Sequence, residues 1–131
     1  MLYVQLQFPY HPRAQVHKFM SVDNANIVDL VGVDKESAET VLTISDHLPW
    51  DETNEHILML QEKINRYLAF IESGEIYEKY PDAKGRKCII SVVALYHPTE
   101  TAERFLQSVN AIVEGAGIGF RFKQKHFNSP P

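Results

Sequence analysis

The sequence predicts an α+β domain with the element order ββαβαβ, in which a four-stranded mixed sheet carries two helices on one face. Two Val/Ile-rich runs, about 26–32 and 39–45, flank the turn-forming stretch DKES and are typical of an antiparallel pair. Two helical patterns then alternate with two further strand patterns. In a chain of 131 residues, 44% hydrophobic and 23% charged residues are values of one globular domain. The strand order is left open by these patterns.

The first helix is predicted over 51–73, with Asp51 as its N-cap and Gly74 at its end. The second is predicted over 99–114 and ends at Gly115. Each has apolar residues at the spacing that places them on one buried stripe. These stripes are Ile57, Leu60, Ile64, Leu68 and Ile71 in the first helix, and Ala102, Phe105, Leu106, Val109, Ile112 and Val113 in the second. The polar connection between Gly74 and the third strand has room for one irregular helical turn.

The last two strands differ in pattern. KCIISVVALY, about 87–96, is apolar at nearly every position and predicts a central strand. IGFRFKQ alternates, with Phe120 and Phe122 facing one way and Arg121 and Lys123 the other. Cationic side chains on an edge strand keep sheets from joining, and we favour that role over contact with an acidic partner or a phosphate.

The N-terminal residues 1–19 form a separate segment before the α+β domain, predicted over 20–125, and residues 126–131 are expected to be a frayed tail. Residues 2–8 alternate as a half-buried strand would until Pro9 interrupts them. One interpretation is an additional edge strand, or a strand exchanged with a second copy that would make a homo-oligomer. The other is an extension upstream of a start at Met20.

Charge and composition narrow the class of protein. A net charge of −4 argues against nonspecific nucleic-acid binding. Without a signal-peptide pattern or a membrane-spanning apolar run, we expect a cytoplasmic protein that does not bind membranes. The one cysteine, Cys88, excludes an internal disulfide and is expected to be a buried, inert thiol. No cofactor motif is recognised.

The most informative cluster follows the second strand, in the stretch TISDHLPWDETNEH. Asp46 and His47 end that strand just before a helix, and Tyr96 and His97 occupy the same position after the third strand. If the two strands run parallel, both junctions open on one edge of the sheet, where ligands commonly bind. Asp46, His47 and His97 are then candidate catalytic residues, since an Asp–His pair can serve a general base.

A structural role explains the same junction more simply, and we favour it. Asp46 satisfies amides of the turn, Pro49 fixes the direction of the chain, Trp50 covers the end of the core and Asp51 caps the helix. His56 lacks a second histidine four residues away, so no metal site is predicted. Helix end and strand entry likewise account for the glycines of GAGIGF.

The aromatic residues are candidates for binding a partner, not for catalysis. Tyr77 and Tyr80 alternate with acidic residues after the first helix, and tyrosines of this kind are frequent in protein interfaces. The other interpretation is a polar loop whose tyrosines fold back onto the core. Together with Trp50 and Tyr96 they are the candidate binding residues.

The stretches MSVDN, TISDHLPW and LQEKINRYLAFIESGEIYEKYPDAKGRK resemble a bacterial family of small domains of unknown function, over about residues 20–123. The resemblance implies a small bacterial cytosolic protein and no catalytic residue.

Absent enzyme motifs, the acidic balance and the Tyr/Glu segment favour a non-enzymatic protein-binding module, an immunity-type or accessory partner of another protein. The alternative is a small enzyme or ligand-binding domain centred on Asp46, His47 and His97.

Overall fold

The computed structural model describes residues 30–51 and 53–125. Its elements follow the predicted order, with one short helix added after the first long one. They are β1 (Leu30–Val33), β2 (Thr40–Asp46), α1 (Glu55–Glu72), α2 (Glu75–Lys79), a 3-10 turn (Pro81–Ala83), β3 (Cys88–Ala94), α3 (Glu100–Gly115) and β4 (Gly119–Gln124). The predictions for residues 1–19 and 126–131 lie outside the described residues.

The four strands form one sheet in the order β1-β2-β3-β4. β1 and β2 are antiparallel, whereas β2, β3 and β4 run parallel to one another. Each parallel connection passes through a helix, and the right-handedness of such crossovers places α1 and α3 on the same face. The predicted fold class, a mixed sheet with its two long helices on one face, is confirmed.

The core lies between that face and the two long helices. Its sheet side is built from rows of neighbouring residues, since strand partners in register point the same way. Leu42, Ile90 and Phe120 form one row, and Ile44, Val92 and Phe122 form the next. Leu42, Ile44, Ile90 and Val92 are buried, and the two phenylalanines pack against them half-buried. All predicted stripe residues are buried except Ile112, which is half-buried.

The β1–β2 hairpin is closed by the carboxylate of Asp34. Asp34 Oδ1 accepts hydrogen bonds from the amides of Glu36, at 2.8 Å, and Ser37, at 3.2 Å. These two bonds favour the ionised form and hold the pKa of Asp34 below its usual value. Ala38 takes a left-handed conformation with φ 61°, and Ala38 N donates to Asp34 O at 2.8 Å. The turn therefore begins at Asp34, as an Asx turn predicts.

The start of α1 differs from the prediction. The helix begins at Glu55, and Asp51 is not its N-cap. Asp51 Oδ1 instead accepts from the amide of Thr53 at 3.3 Å and from its hydroxyl at 3.0 Å, which forms a local turn. Asn54 then takes a left-handed conformation at the N-cap position, with φ 65° and no side-chain cap. A short-range turn therefore competes successfully with the helix for the Asp51 carboxylate.

Helix α1 is buried over a wider arc than its apolar stripe. His56, Gln61, Lys63 and Tyr67 are also buried. Tyr67 donates its hydroxyl to Thr43 O on β2 at 2.8 Å, and the ammonium nitrogen of Lys63 lies 5.5 Å from the centre of the Tyr67 ring. Polar side chains thus enter the interface between α1 and the sheet, where cation–π attraction supports a buried charge.

The end of α1 and the start of β3 meet at the opposite end of the sheet from the α1 N-terminus. Gly74 takes φ 82° between α1 and α2, a left-handed turn that only glycine adopts without strain. Cys88, the first residue of β3, is buried and shares a hydrogen bond with Tyr77. Burial raises the pKa of the Cys88 thiol, in agreement with the expectation that it is inert.

Candidate functional site

The two strand-to-helix junctions lie at the same edge of the sheet. Asp46 and Ala94 are register partners at the ends of the parallel strands β2 and β3. The amide of Leu95 donates to Asp46 O at 2.9 Å, which carries the pairing one residue past the end of β3. Because β2 and β3 run parallel, the two junctions share one edge of the sheet.

Trp50 connects the two junctions. Its indole nitrogen Nε1 donates to Tyr96 O at 3.1 Å, across 46 positions of sequence. Its ring also lies 6.4 Å from that of Phe122 on β4, at 55°. The loop after β2 is thus joined to the loop after β3 and faces the end of β4.

Behind Trp50, Asp46 and His56 form a buried pair. Asp46 Oδ2 and His56 Nε2 are 2.6 Å apart, and both side chains are almost fully excluded from solvent. Asp46 Oδ1 accepts from the amide of Leu48 at 3.1 Å. His56 Nδ1 lies 3.1 Å from Pro49 O. The strand end, the intervening loop and the first turn of α1 are therefore held by one set of contacts.

Both ring nitrogens of His56 contact an oxygen atom. The Pro49 carbonyl oxygen only accepts, so Nδ1 is the donor of a hydrogen bond at that 3.1 Å contact. On the other side of the ring, Nε2 contacts the Asp46 carboxyl group at 2.6 Å. The Trp50 ring stacks on the imidazole, with centroids 3.8 Å apart and planes 14° apart. His56 thus has both nitrogens occupied and one face covered, which leaves no free base.

The structure does not pair Asp46 with either predicted histidine. The hydrogen bonds of its carboxylate go to Leu48 and His56. His47 is half-buried, and its Nδ1 atom is buried with no hydrogen-bond partner in the described part of the chain. His97 is exposed, with 76% of its side chain accessible, and lies 3.7 Å from Glu103 on α3. Of the three catalytic candidates, Asp46 is committed to a structural contact and the two histidines are not.

His56 lacks the spacing of a metal-binding helix, and its contact with Asp46 was not predicted. Asp46 lies ten positions earlier, a separation that matches neither the helical nor the strand period. The one local signal is Pro49, which has no backbone N–H and whose fixed φ redirects the chain after the strand. Trp50 was predicted to cover the end of the core, and it does so through His56.

The candidate binding residues separate into two groups at opposite ends of the sheet. Trp50 and Tyr96 lie at the ends of β2 and β3, whereas Tyr77 and Tyr80 follow the C-terminus of α1. Tyr77 packs against the core half-buried. Tyr80 stays 38% exposed and sets its ring edge-on to Phe70, 6.4 Å away. Tyr77 therefore folds back onto the core and Tyr80 stays accessible, and the binding role of this segment stays a prediction.

Residues 30–51 and 53–125 were compared with two further possibilities, a metal-binding cluster and a membrane-spanning helix. This part of the chain holds no group of three or more His, Cys, Asp or Glu side chains placed to bind a metal ion. It also has no helix long and apolar enough to cross a membrane.

Comparison with known proteins yields a family and no activity. No curated protein and no solved structure matched the chain. A family model described as a family of unknown function, DUF6572, matches residues 20–126. That range includes all the described elements and the whole strand-end cluster. The chain therefore belongs to the family of unknown function DUF6572.

Proposed function

We propose that the chain is a non-enzymatic protein-binding module of the cytoplasm, an immunity-type or accessory partner of another protein. Its contact area is the strand-end surface, formed by His47, Leu48, Trp50, Tyr96 and His97. The Asp46–His56 pair beneath it is buried and hydrogen-bonded, and so serves as a support for this surface.

The proposal rests on Tyr96, whose side chain is accessible to a partner while its backbone is hydrogen-bonded. Tyr96 is 45% exposed, more than any other large apolar residue in the described part of the chain. Its backbone, in contrast, is held by the Trp50 indole at 3.1 Å. A tyrosine has few rotatable bonds, so it gives a partner a large contact area at a small cost in conformational entropy. Such residues are enriched among those that dominate binding energy.

Truncation of Tyr96 tests the proposal. We expect the tagged full chain to enrich a specific protein from a lysate of cells that express it naturally. Tyr96→Ala should reduce that enrichment by a factor of about thirty, since loss of a central interface tyrosine costs on the order of 2 kcal/mol. Quantitative mass spectrometry of the bound fraction measures the effect.

Tyr80→Ala is the matched control. Tyr80 is exposed to a similar degree, 38%, but lies at the other end of the sheet. The enriched protein should remain with this variant. Equal retention by Tyr96→Ala and the wild type, or enrichment of no protein at all, would refute the proposed surface.

A second function is favoured by one specific atom. Among the described residues, His47 Nδ1 is buried without a hydrogen-bond partner, and His47 directly follows Asp46 at the edge where α/β sheets commonly bind ligands. We propose as the alternative a small-molecule or catalytic site at the strand-to-helix junctions around Asp46, His47 and His97. Asp46 would position its surroundings through His56, and the two histidines would meet the ligand.

The thermal stability of the His47→Ala variant distinguishes a structural role of His47 from the proposed ligand-binding role. An unsatisfied buried nitrogen costs free energy, so its removal should leave the Tm unchanged within about 4 °C or raise it. Thermal unfolding followed by circular dichroism measures the shift. A fall of about 10 °C or more would show that the fold needs His47 and would remove the motive for a ligand site.

A further inference from the structure

In residues 30–51 and 53–125, strand β4 has an unpaired outer edge. Of the strands in this part of the chain it pairs with β3 alone, and the amide of Lys125 donates to Ala94 O at 2.7 Å. Because backbone groups alternate sides along a strand, Arg121 and Lys123 also direct theirs toward β3. The N–H and C=O groups of residues 120, 122 and 124 therefore point away from the sheet. Within the described part of the chain, these outward groups have no hydrogen-bond partner.

The side chains along this edge form two rows of different chemistry. Phe120 and Phe122 face the helix layer but stay half-buried, although their register partners Ile90 and Val92 on β3 are fully buried. The apolar layer thus ends with incompletely covered rings. On the other face, Arg121 and Lys123 are exposed.

The cationic row is only partly neutralised. Arg121 bonds Glu39 Oε1 at 2.7 Å, across the face of the sheet that bears no helix. Lys123 and the adjacent Lys125 have no carboxylate partner in residues 30–51 and 53–125. Positive charge is therefore left over at this edge of a chain whose net charge is −4.

These charges protect the edge selectively. Two copies that met β4 to β4 would bring cations together, so the lysines oppose self-pairing. The same charges attract a strand with acidic side chains. The same positive charges thus oppose self-association and favour an acidic partner.

We propose that β4 accepts an extended acidic segment of another protein as an additional strand of the sheet. The segment alternates: its apolar residues lie beside Phe120 and Phe122, and its acidic residues lie beside Arg121 and Lys123. Its backbone bonds the outward groups of residues 120, 122 and 124. Such strand addition takes affinity from main-chain hydrogen bonds and specificity from the alternating side chains. The contact is distinct from the Tyr96 contact, because it uses the backbone of an edge strand.

Nuclear magnetic resonance of the labelled full chain tests the proposal with a short blocked peptide of alternating valine and glutamate. The amides of Phe120, Phe122 and Gln124 should shift and exchange more slowly with solvent on titration. The amides of Arg121 and Lys123, already bonded to β3, should change less. A peptide of alternating valine and lysine, the matched control, should bind at least about tenfold more weakly.

Variants of β4 separate the backbone and charge contributions. Gln124→Pro removes an outward N–H without removing one that faces β3, and Gln124→Ala controls for its side chain. The proline variant should lose binding that the alanine variant keeps. Lys123→Glu, which leaves the backbone intact, should also weaken binding at least tenfold, and Tyr96→Ala should not affect it. Protection at β1, equal binding of both peptides, or binding of neither would overturn the proposal and leave the Tyr96 proposal standing.

Discussion

Replacing His56 with alanine is expected to lower the free energy of unfolding by about 3 to 5 kcal/mol, the usual cost of breaking a buried pair. The change leaves Asp46 Oδ2 buried without its partner and removes the Pro49 hydrogen bond. It also opens a space under the Trp50 ring, which stacks on His56. Urea unfolding followed by tryptophan fluorescence suits the measurement, because Trp50 is the only tryptophan of the chain and lies at the site.

His97→Ala is the control for removal of a histidine. Its side chain is 76% exposed and its nearest acid, on Glu103, is 3.7 Å away. The cost should stay below about 1 kcal/mol, as for other exposed ion pairs. If His56→Ala costs no more than His97→Ala, the pair does not hold the loop.

The partner residue should show a graded response. In Asp46→Asn, the side-chain amide can still hydrogen-bond His56 Nε2, and its oxygen can still accept from the Leu48 amide. Asp46→Ala leaves His56 Nε2 without its partner and the Leu48 amide without its acceptor. The asparagine variant should therefore keep more of the stability than the alanine variant, by about 1 to 2 kcal/mol, since an unsatisfied buried group costs that much.

The elements of the fold were predictable because periodicity depends on local sequence. The helical stripes and the alternation of IGFRFKQ describe single elements, and the structure confirms them. The strand order could not be predicted, because the choice of which strands pair produces no periodic pattern in the sequence. The start of α1 was predicted wrongly because an Asp at this place can either cap a helix or close a local turn, and Asp51 does the latter.

The two junctions share one edge of the sheet, as expected for parallel strands, whereas the contacts among their side chains were not predicted. Strand ends before helices identified both junctions, and Trp50 joins them at Tyr96 O. The Asp46–His56 contact depends on how the loop folds back at Pro49, a tertiary effect with no sequence spacing of its own. Buried Lys63 was missed for a related reason. A lysine outside the apolar stripe is normally solvated, and its position over the Tyr67 ring follows from the packing of α1 on the sheet.

Gly119→Ala is expected to destabilise the protein by about 1 to 3 kcal/mol, as overpacking of a well-filled position does. Gly119 begins β4, is buried and pairs with Ile89 on β3. A methyl group there would lie far inside van der Waals contact with Ile89 Cδ1. Ile89 is only 3% exposed, so its side chain has little free space into which to move. Thermal and urea unfolding measure the loss.

Gly32→Ala is the matched glycine substitution, because a methyl group on this strand residue of β1 meets nothing within 4 Å. It should be neutral or stabilise the strand by up to about 1 kcal/mol. Ile89→Val removes the clashing Cδ1 and by itself costs about 0.5 to 1.5 kcal/mol. If the clash causes the loss, the double variant Gly119→Ala/Ile89→Val is more stable than the sum of the single effects predicts, by about 1 kcal/mol. Strict additivity would instead mean that Ile89 moves aside freely, and that the close approach of β3 and β4 at Gly119 does not depend on glycine.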